Sequence, residues 1–273
     1  MSRNIVITGA SAGIGRELAR VLTIDRGAKV LATARRVDRL DALARELPEG
    51  RFLYRAGDLA DPSFRETLWN QALELPGGVD VLINNAGVGW YSEFDRQDPA
   101  QIRRMIEVDL VALVDLTQKA IVHMKERGHG KIIEVSSILG FFGAPYSAVY
   151  TACKHAVNGL VKSLRRELKG SGVEVWCVCP GRTESEFHSA ALGETELREV
   201  RGRGAKARSV AIAIADSIDR RHGAFVYPDL RSWFVTQGAL WAPRAFNLAL
   251  DRAKHKIFAD QIQKDRPPKD QIG

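Results

Sequence analysis

Short apolar runs punctuate the chain at residues 5–8, 29–33, 52–55, 81–84, 131–136, 173–179 and 223–227. Between most of them the apolar positions change to helical spacing, over 15–25, 37–47, 62–75, 102–127 and 150–169. A short, continuous apolar run reads as a strand buried on both faces, and a helix after each strand brings the next one back parallel to it. The alternation therefore predicts an α/β fold, a doubly wound parallel sheet covered by helices on both faces.

Two segments depart from this rhythm. Residues 182–208 form the longest stretch without a clear strand, followed by a helical pattern over 209–220. They belong at the carboxyl edge of the sheet, where ligands bind in such folds, and read equally as a lid or as a surface excursion. We place them as a substrate loop within one domain spanning 1–228. Residues 229–273 read as a helical C-terminal extension and tail, with Trp233, Phe234, Leu240, Trp241, Phe246, Leu248 and Leu250 at helical spacing around Pro243. Packing on its own domain is the favoured reading of that stripe; the others are membrane-surface contact, a dimer contact or a cover over the substrate pocket. Residues 263–273, with Pro267-Pro268 and mixed charges, read as a frayed end.

Composition narrows the function. A chain of 273 residues that is 45% hydrophobic buries a core of normal size as one domain. Its net charge of +7 comes from 40 basic residues interleaved with 33 acidic ones, without a basic block, which argues against a nucleic-acid partner. A mild positive field suits anionic ligands, a phosphorylated cofactor among them. Cys153, Cys177 and Cys179 make no CxxC pair, and the last two alternate along a strand, so reduced core thiols are expected. The first strand follows Met1 without the regions of a signal peptide, and no run of about 18 apolar residues is present to cross a bilayer. A cytoplasmic protein is the expectation. The six histidines show no metal-ligand grouping, so no metal is implied; His188, in the 182–208 segment, is the one to test for substrate contact.

Directly after the first strand stands Thr8-Gly9-Ala10-Ser11-Ala12-Gly13-Ile14-Gly15, opening a helix. Glycines permit a sharp turn and bring backbone N–H groups against a pyrophosphate at the positive end of the helix. The second strand ends at the position where an acidic residue would hold the adenosine ribose 2′-hydroxyl of NAD. Here the chain reads Ala34-Arg35-Arg36. No carboxylate repels a 2′-phosphate and Arg35 can pair with one, which favours NADP (NADPH) over NAD.

Six ordered motifs, Thr8 to Gly15, Asp58-Leu59, Asn84-Asn85-Ala86-Gly87, Ser136-Ser137, Tyr150-Thr151-Ala152-Cys153-Lys154 and Pro180-Gly181, resemble the short-chain dehydrogenase/reductase family in its ordinary rather than extended form. The resemblance runs from about Asn4 to Pro228 and implies a Rossmann fold. It implies that Asp58 and Leu59 contact the adenine and that the turn of Asn85, Ala86 and Gly87 supports the sheet beside the cofactor. Gly9, Ser11, Gly13, Ile14 and Gly15 would hold the phosphates, while Pro180, Gly181, Thr183 and Ser185 would meet the nicotinamide end.

Tyr150 and Lys154 stand four apart on a predicted helix and so project from one face. An ammonium beside the phenol, together with an oxidised nicotinamide, favours phenolate and lowers a titration that ordinarily lies near 10. Tyr150 is then the acid in reduction and the base in oxidation. Ser137, thirteen residues before Tyr150, is at the family's usual separation for the serine that hydrogen-bonds the substrate oxygen; Ser136 is the lesser candidate. In the family the lysine also holds the nicotinamide ribose hydroxyls. One departure concerns Asp109, which occupies the place where most members have an asparagine whose kinked helix anchors a water-linked proton relay; a carboxylate accepts hydrogen bonds but donates only when protonated.

The resulting expectation is an NADP-dependent oxidoreductase that interconverts a carbonyl and a secondary alcohol on a partly apolar small molecule, with Phe141, Phe142, Trp233, Phe234 and Trp241 as candidate pocket walls. A homodimer or homotetramer is expected by the same resemblance. An NADP-binding regulatory protein without turnover is the alternative from another class, supported by Asp109 and the aromatic tail. An extended-type epimerase or dehydratase is disfavoured by the chain length and glycine spacing.

Overall fold

The computed structural model describes residues 2–185, 192–193 and 204–262. Its strands and helices follow the predicted order: β1 (Asn4–Thr8), α1 (Gly13–Arg20), β2 (Lys29–Ala34), α2 (Val37–Glu46), β3 (Phe52–Ala56), α3 (Pro62–Leu73) and β4 (Val81–Asn84). Then come α4 (Pro99–Ile106), α5 (Ala112–Arg127), β5 (Gly130–Val135), α6 (Ala148–Glu167), β6 (Val173–Val178), α7 (Ala207–Asp219) and β7 (Phe225–Val226). Two helices, α8 (Leu230–Trp241) and α9 (Pro243–Ile262), close the described chain. The strands form one seven-stranded parallel sheet in the order β7-β6-β5-β4-β1-β2-β3. This is the doubly wound, Rossmann-type α/β arrangement. Its strand order reverses between β1 and β4, so the carboxyl ends of those two strands frame the crevice in which such sheets bind ligands.

Side-chain alternation along each strand builds a core on each face. Ile5 and Ile7 join Leu18, Leu40, Leu43 and Ile214 under α1, α2 and α7. Val6, between them in sequence, turns to the other face with Leu68, Leu116, Ala120 and Val161 under α3, α5 and α6. All three cysteines are free and buried, as the spacing led us to expect.

The predicted helix over 102–127 is interrupted. Between α4 and α5 the chain makes a π-helical turn, Glu107–Val111. A π turn inserts an extra residue into the helical ladder and redirects the side chains within it; here it carries Asp109 into the interior. The two helices that precede and follow crossover loops on that side, α3 and α4, start at Asp61-Pro62 and Asp98-Pro99, with each aspartate accepting a backbone N–H. Helix α1 has no such side-chain cap at Ala12. Its first N–H groups are left for another acceptor.

The sheet also buries a carboxylic acid. Glu134 on β5 is fully enclosed; its Oε1 accepts from the Thr117 hydroxyl at 2.7 Å and from Asn84 Nδ2 at 3.3 Å. Oε2 has no hydrogen-bond partner among the described residues. Burial pushes the Glu134 carboxyl up to about 7, against the hydrogen bonds of Thr117 and Asn84 and the charge of Lys154. A carboxyl raised on folding contributes stability below its unfolded value and loses it as pH climbs through the folded one. Glu134→Gln removes that loss. Thermal and denaturant unfolding should show the variant gaining on the natural protein by on the order of 1–3 kcal/mol between about pH 5 and pH 8. A difference that stays constant across that range would contradict the assignment.

Candidate active site

At the switch point the ends of β1 and β4 are tied by two side chains. The Thr8 hydroxyl accepts the N–H groups of Asn85 and Ala86, each at 3.0 Å, while Asn85 Nδ2 donates to the carbonyls of Thr8 at 2.9 Å and Gly9 at 3.2 Å. The turn between them has no room for side chains. A Cβ on Gly15 would stand 2.3 Å from the Gly9 carbonyl oxygen, and one on Gly9, whose φ is +77°, would stand 2.8 Å from Ala86 Cα. Gly13 also has a positive φ, +53°, and lies against Ser185. Bare backbone, left-handed turns and an uncapped helix N-terminus together make a cradle that fits a pyrophosphate.

The cradle is one end of a cleft of about 850 Å³. Its walls include all of the sequence-predicted cofactor residues: Gly9, Ser11, Gly13, Ile14, Gly15, Arg35, Asp58, Leu59, Asn85, Ala86, Gly87, Tyr150, Lys154, Pro180, Gly181, Thr183 and Ser185. At the rim, Arg35 is exposed, and the neighbouring Arg36 donates to the Ser11 hydroxyl at 3.2 Å. Sequence reasoning named Arg35 alone; the adjacent arginine was the available signal for Arg36. Asp58 pairs with Arg104 at 2.7 Å. Burial alone would raise its carboxyl, but hydrogen bonds from Arg104 and the Ala60 N–H and the charges of Arg104 and Arg35 hold it low.

At the inner end, α6 presents Tyr150 and Lys154 one turn apart. Lys154 is buried, its Nζ 3.1 Å from the Val135 carbonyl oxygen to which it donates and 5.4 Å from the centre of the Tyr150 ring. The two serines after β5 diverge: Ser136 donates to the Lys154 carbonyl at 3.3 Å, whereas Ser137 hydrogen-bonds with Tyr150 and accepts the Leu139 N–H at 3.1 Å. Of the two, Ser137 is the one that meets the Tyr150 phenol.

In the protein alone the surroundings of Tyr150 raise its titration. Burial raises it above the ordinary phenol value, the Asp109 charge raises it further, and only the bond with Ser137 works the other way. Lys154 Nζ lies over the Tyr150 ring, and burial and Asp109 favour the protonated phenol in the protein alone.

Asp109 does not line the cleft. It stands behind Gly87, fully buried, its Oδ1 accepting the Val88 N–H at 2.7 Å and its Oδ2 without a hydrogen-bond partner among the described residues. Burial lifts its carboxyl to about 6, with Lys154 and Val88 opposing.

The expected aromatic walls are corrected in part. Phe142 lines the cleft, but Phe141 packs with Phe225 and Tyr227 in the core, and Trp233, Phe234 and Trp241 are exposed. The walls are instead Tyr91, Val108, Leu139, Val235 and Leu250. Tyr91, beside Tyr150, carried no signal in the sequence beyond its place in a loop. His188 and most of the 182–208 segment lie outside the described residues.

The comparisons agree with this geometry. The family model described as short chain dehydrogenase matches residues 3–195. A rat protein, dehydrogenase/reductase SDR family member 7B, is 30% identical over 97% of this chain and 83% of its own length. A short-chain dehydrogenase from Sphingobium yanoikuyae, solved in complex with NADPH, superposes with a TM-score of 0.77 at 27% identity, covering 98% of this chain and 99% of that one. A 3-ketoacyl-(acyl-carrier-protein) reductase from Brucella melitensis, complexed with NADH, superposes with a TM-score of 0.73 at 26% identity, covering 82% and 96%. The chain belongs to the short-chain dehydrogenase/reductase family of oxidoreductases.

Proposed function

We propose that the protein is an NADP(H)-dependent oxidoreductase that interconverts a carbonyl and a secondary alcohol on an apolar small molecule. The observation that carries this reading is the convergence of the Tyr150 phenol, the Ser137 hydroxyl and the Lys154 ammonium at the inner end of the cleft whose outer end is the glycine cradle. When bound, the nicotinamide supplies or accepts the hydride. The chain's own residues do the rest. Ser137 donates a hydrogen bond to the substrate oxygen, whose negative charge grows as the carbonyl is reduced. Tyr150, held protonated, gives its phenolic proton to that oxygen, and the Lys154 charge near the ring steadies the phenolate left behind. In oxidation the same phenolate takes the proton. The apolar walls around Leu139, Phe142 and Val235 keep water out and favour an apolar substrate.

Preference for NADPH rests on Arg35 and Arg36 at the end of β2, where a carboxylate would repel a 2′-phosphate. The NADPH complex of the Sphingobium relative supports it; the NADH complex of the Brucella relative marks the alternative within the family. A homo-oligomer is supported by exposed Val111, Val114 and Val122 on the π turn and α5.

Two substitutions test these roles. Tyr150→Phe should lower turnover by about 10²–10⁴-fold or more while NADPH binding, read by fluorescence titration, is unchanged. Unaltered turnover would remove Tyr150 from the chemistry. Arg35→Ala should weaken NADPH by about tenfold or more and leave NADH nearly unaffected. Equal losses for the two cofactors would contradict the arginine's role.

A further inference from the structure

Helix α8 is amphipathic in the reverse sense. Its face toward the domain is Ser232, Thr236 and Ala239, spaced by four and three residues and all buried. The opposite face, Leu230, Trp233, Phe234, Leu240 and Trp241, is exposed, with Leu230 at 76%, Phe234 at 63% and Trp241 at 83%. Leu248 on α9 extends the patch. Of the stripe expected to pack on its own domain, Phe246 packs against Phe142 and Leu250 lines the cleft, while Trp233, Phe234, Leu240 and Trp241 face outward. Close approach to the sheet explains the choice of small inner residues: Ser232 Oγ accepts the Gly181 N–H at 3.0 Å, and a Cβ on Gly181 would meet that oxygen at 2.6 Å. A large side chain has no place on that side.

We propose that this outer face docks on the surface of a bilayer containing anionic lipid, placing the protein at a membrane surface rather than free in the cytoplasm. Three observations select that occupant. The apolar residues are Trp, Phe and Leu, the types that settle at the boundary between headgroups and acyl chains. The Trp241 indole N–H is satisfied within the helix by Gln237 Oε1 at 2.8 Å, so the ring can leave water without stranding a donor. And between Asp229 and Asp251 the charged side chains are Arg231, which lines the cleft, and the exposed Arg244, which matches anionic headgroups. Docking is interfacial: among the described residues no helix is long and apolar enough to cross a membrane. The inner side of α8, through Ser232 and Val235, lines the cleft, so the bilayer would lie one helix thickness from it.

The full-length protein, with vesicles of phosphatidylcholine alone and with added phosphatidylglycerol, tests this by co-sedimentation and light scattering. We expect binding to the anionic vesicles that weakens with salt and falls at least about tenfold in the double variant Phe234→Ser, Trp241→Ser and in Arg244→Glu, while the melting temperature and nucleotide binding hold. Absence of binding to both vesicle types by the natural protein would overturn the proposal. So would equal binding by the variants, or a dimer that the double variant abolishes without any vesicle binding.

Discussion

A buried ammonium sets the terms for this structure. Lys154 is 3% exposed, in a position where an unpaired charge would be costly. Three groups from two elements answer it: the Val135 carbonyl and Glu134 on β5, and Asp109 from the π turn between α4 and α5. Each carboxylate is itself buried, and burial raises it while the lysine charge works the other way. Tyr150, one helical turn before the lysine, inherits the resulting field. The charge of Asp109 and burial keep its proton in place, and Ser137 orients its oxygen. The geometry of the proposed site is in this sense a consequence of how the fold manages one cation.

The alternation of apolar runs and helical spacing was enough to read the sheet, since a strand covered on both sides has to be apolar on both sides. The glycine turn was equally legible, because at Gly9 and Gly15 the backbone passes too close to its neighbours for any side chain, and that leaves glycine in the sequence. Tyr150, Lys154 and Ser137 were readable through the order of the family motifs. Glu134 was not: inside the apolar run of β5 it looked like one polar position in a strand, and only the register against Asn84 and the approach of Thr117 reveal a buried network. The upward pull of burial and of Asp109 on Tyr150 was not legible for a similar reason. Four-residue spacing places an ammonium near a ring but does not say which atom it faces.

The C-terminal helices show the limit of reading a stripe as a core face. Helical spacing of Trp233, Phe234, Leu240 and Trp241 identifies one side of α8 correctly, and the usual assumption turns that side inward. Ser232 meets Gly181 too closely for a larger side chain, Thr236 and Ala239 continue that buried face, and sterics at the inner face outweigh hydrophobicity at the outer one. The segment that forms one wall of the cleft thereby becomes an apolar surface of the molecule. Site and surface are two sides of the same helix.

The central claim is that the Tyr150, Ser137 and Lys154 cluster turns over a carbonyl with a cofactor held in the glycine cradle. The most direct measurement follows nicotinamide absorbance while the purified protein, loaded with NADPH, is offered a panel of apolar ketones. The account predicts loss of the reduced-nicotinamide signal with at least one of them and formation of the matching secondary alcohol. Tight NADPH binding with no turnover of any carbonyl across the panel would contradict it and assign the cleft to a cofactor-sensing protein instead.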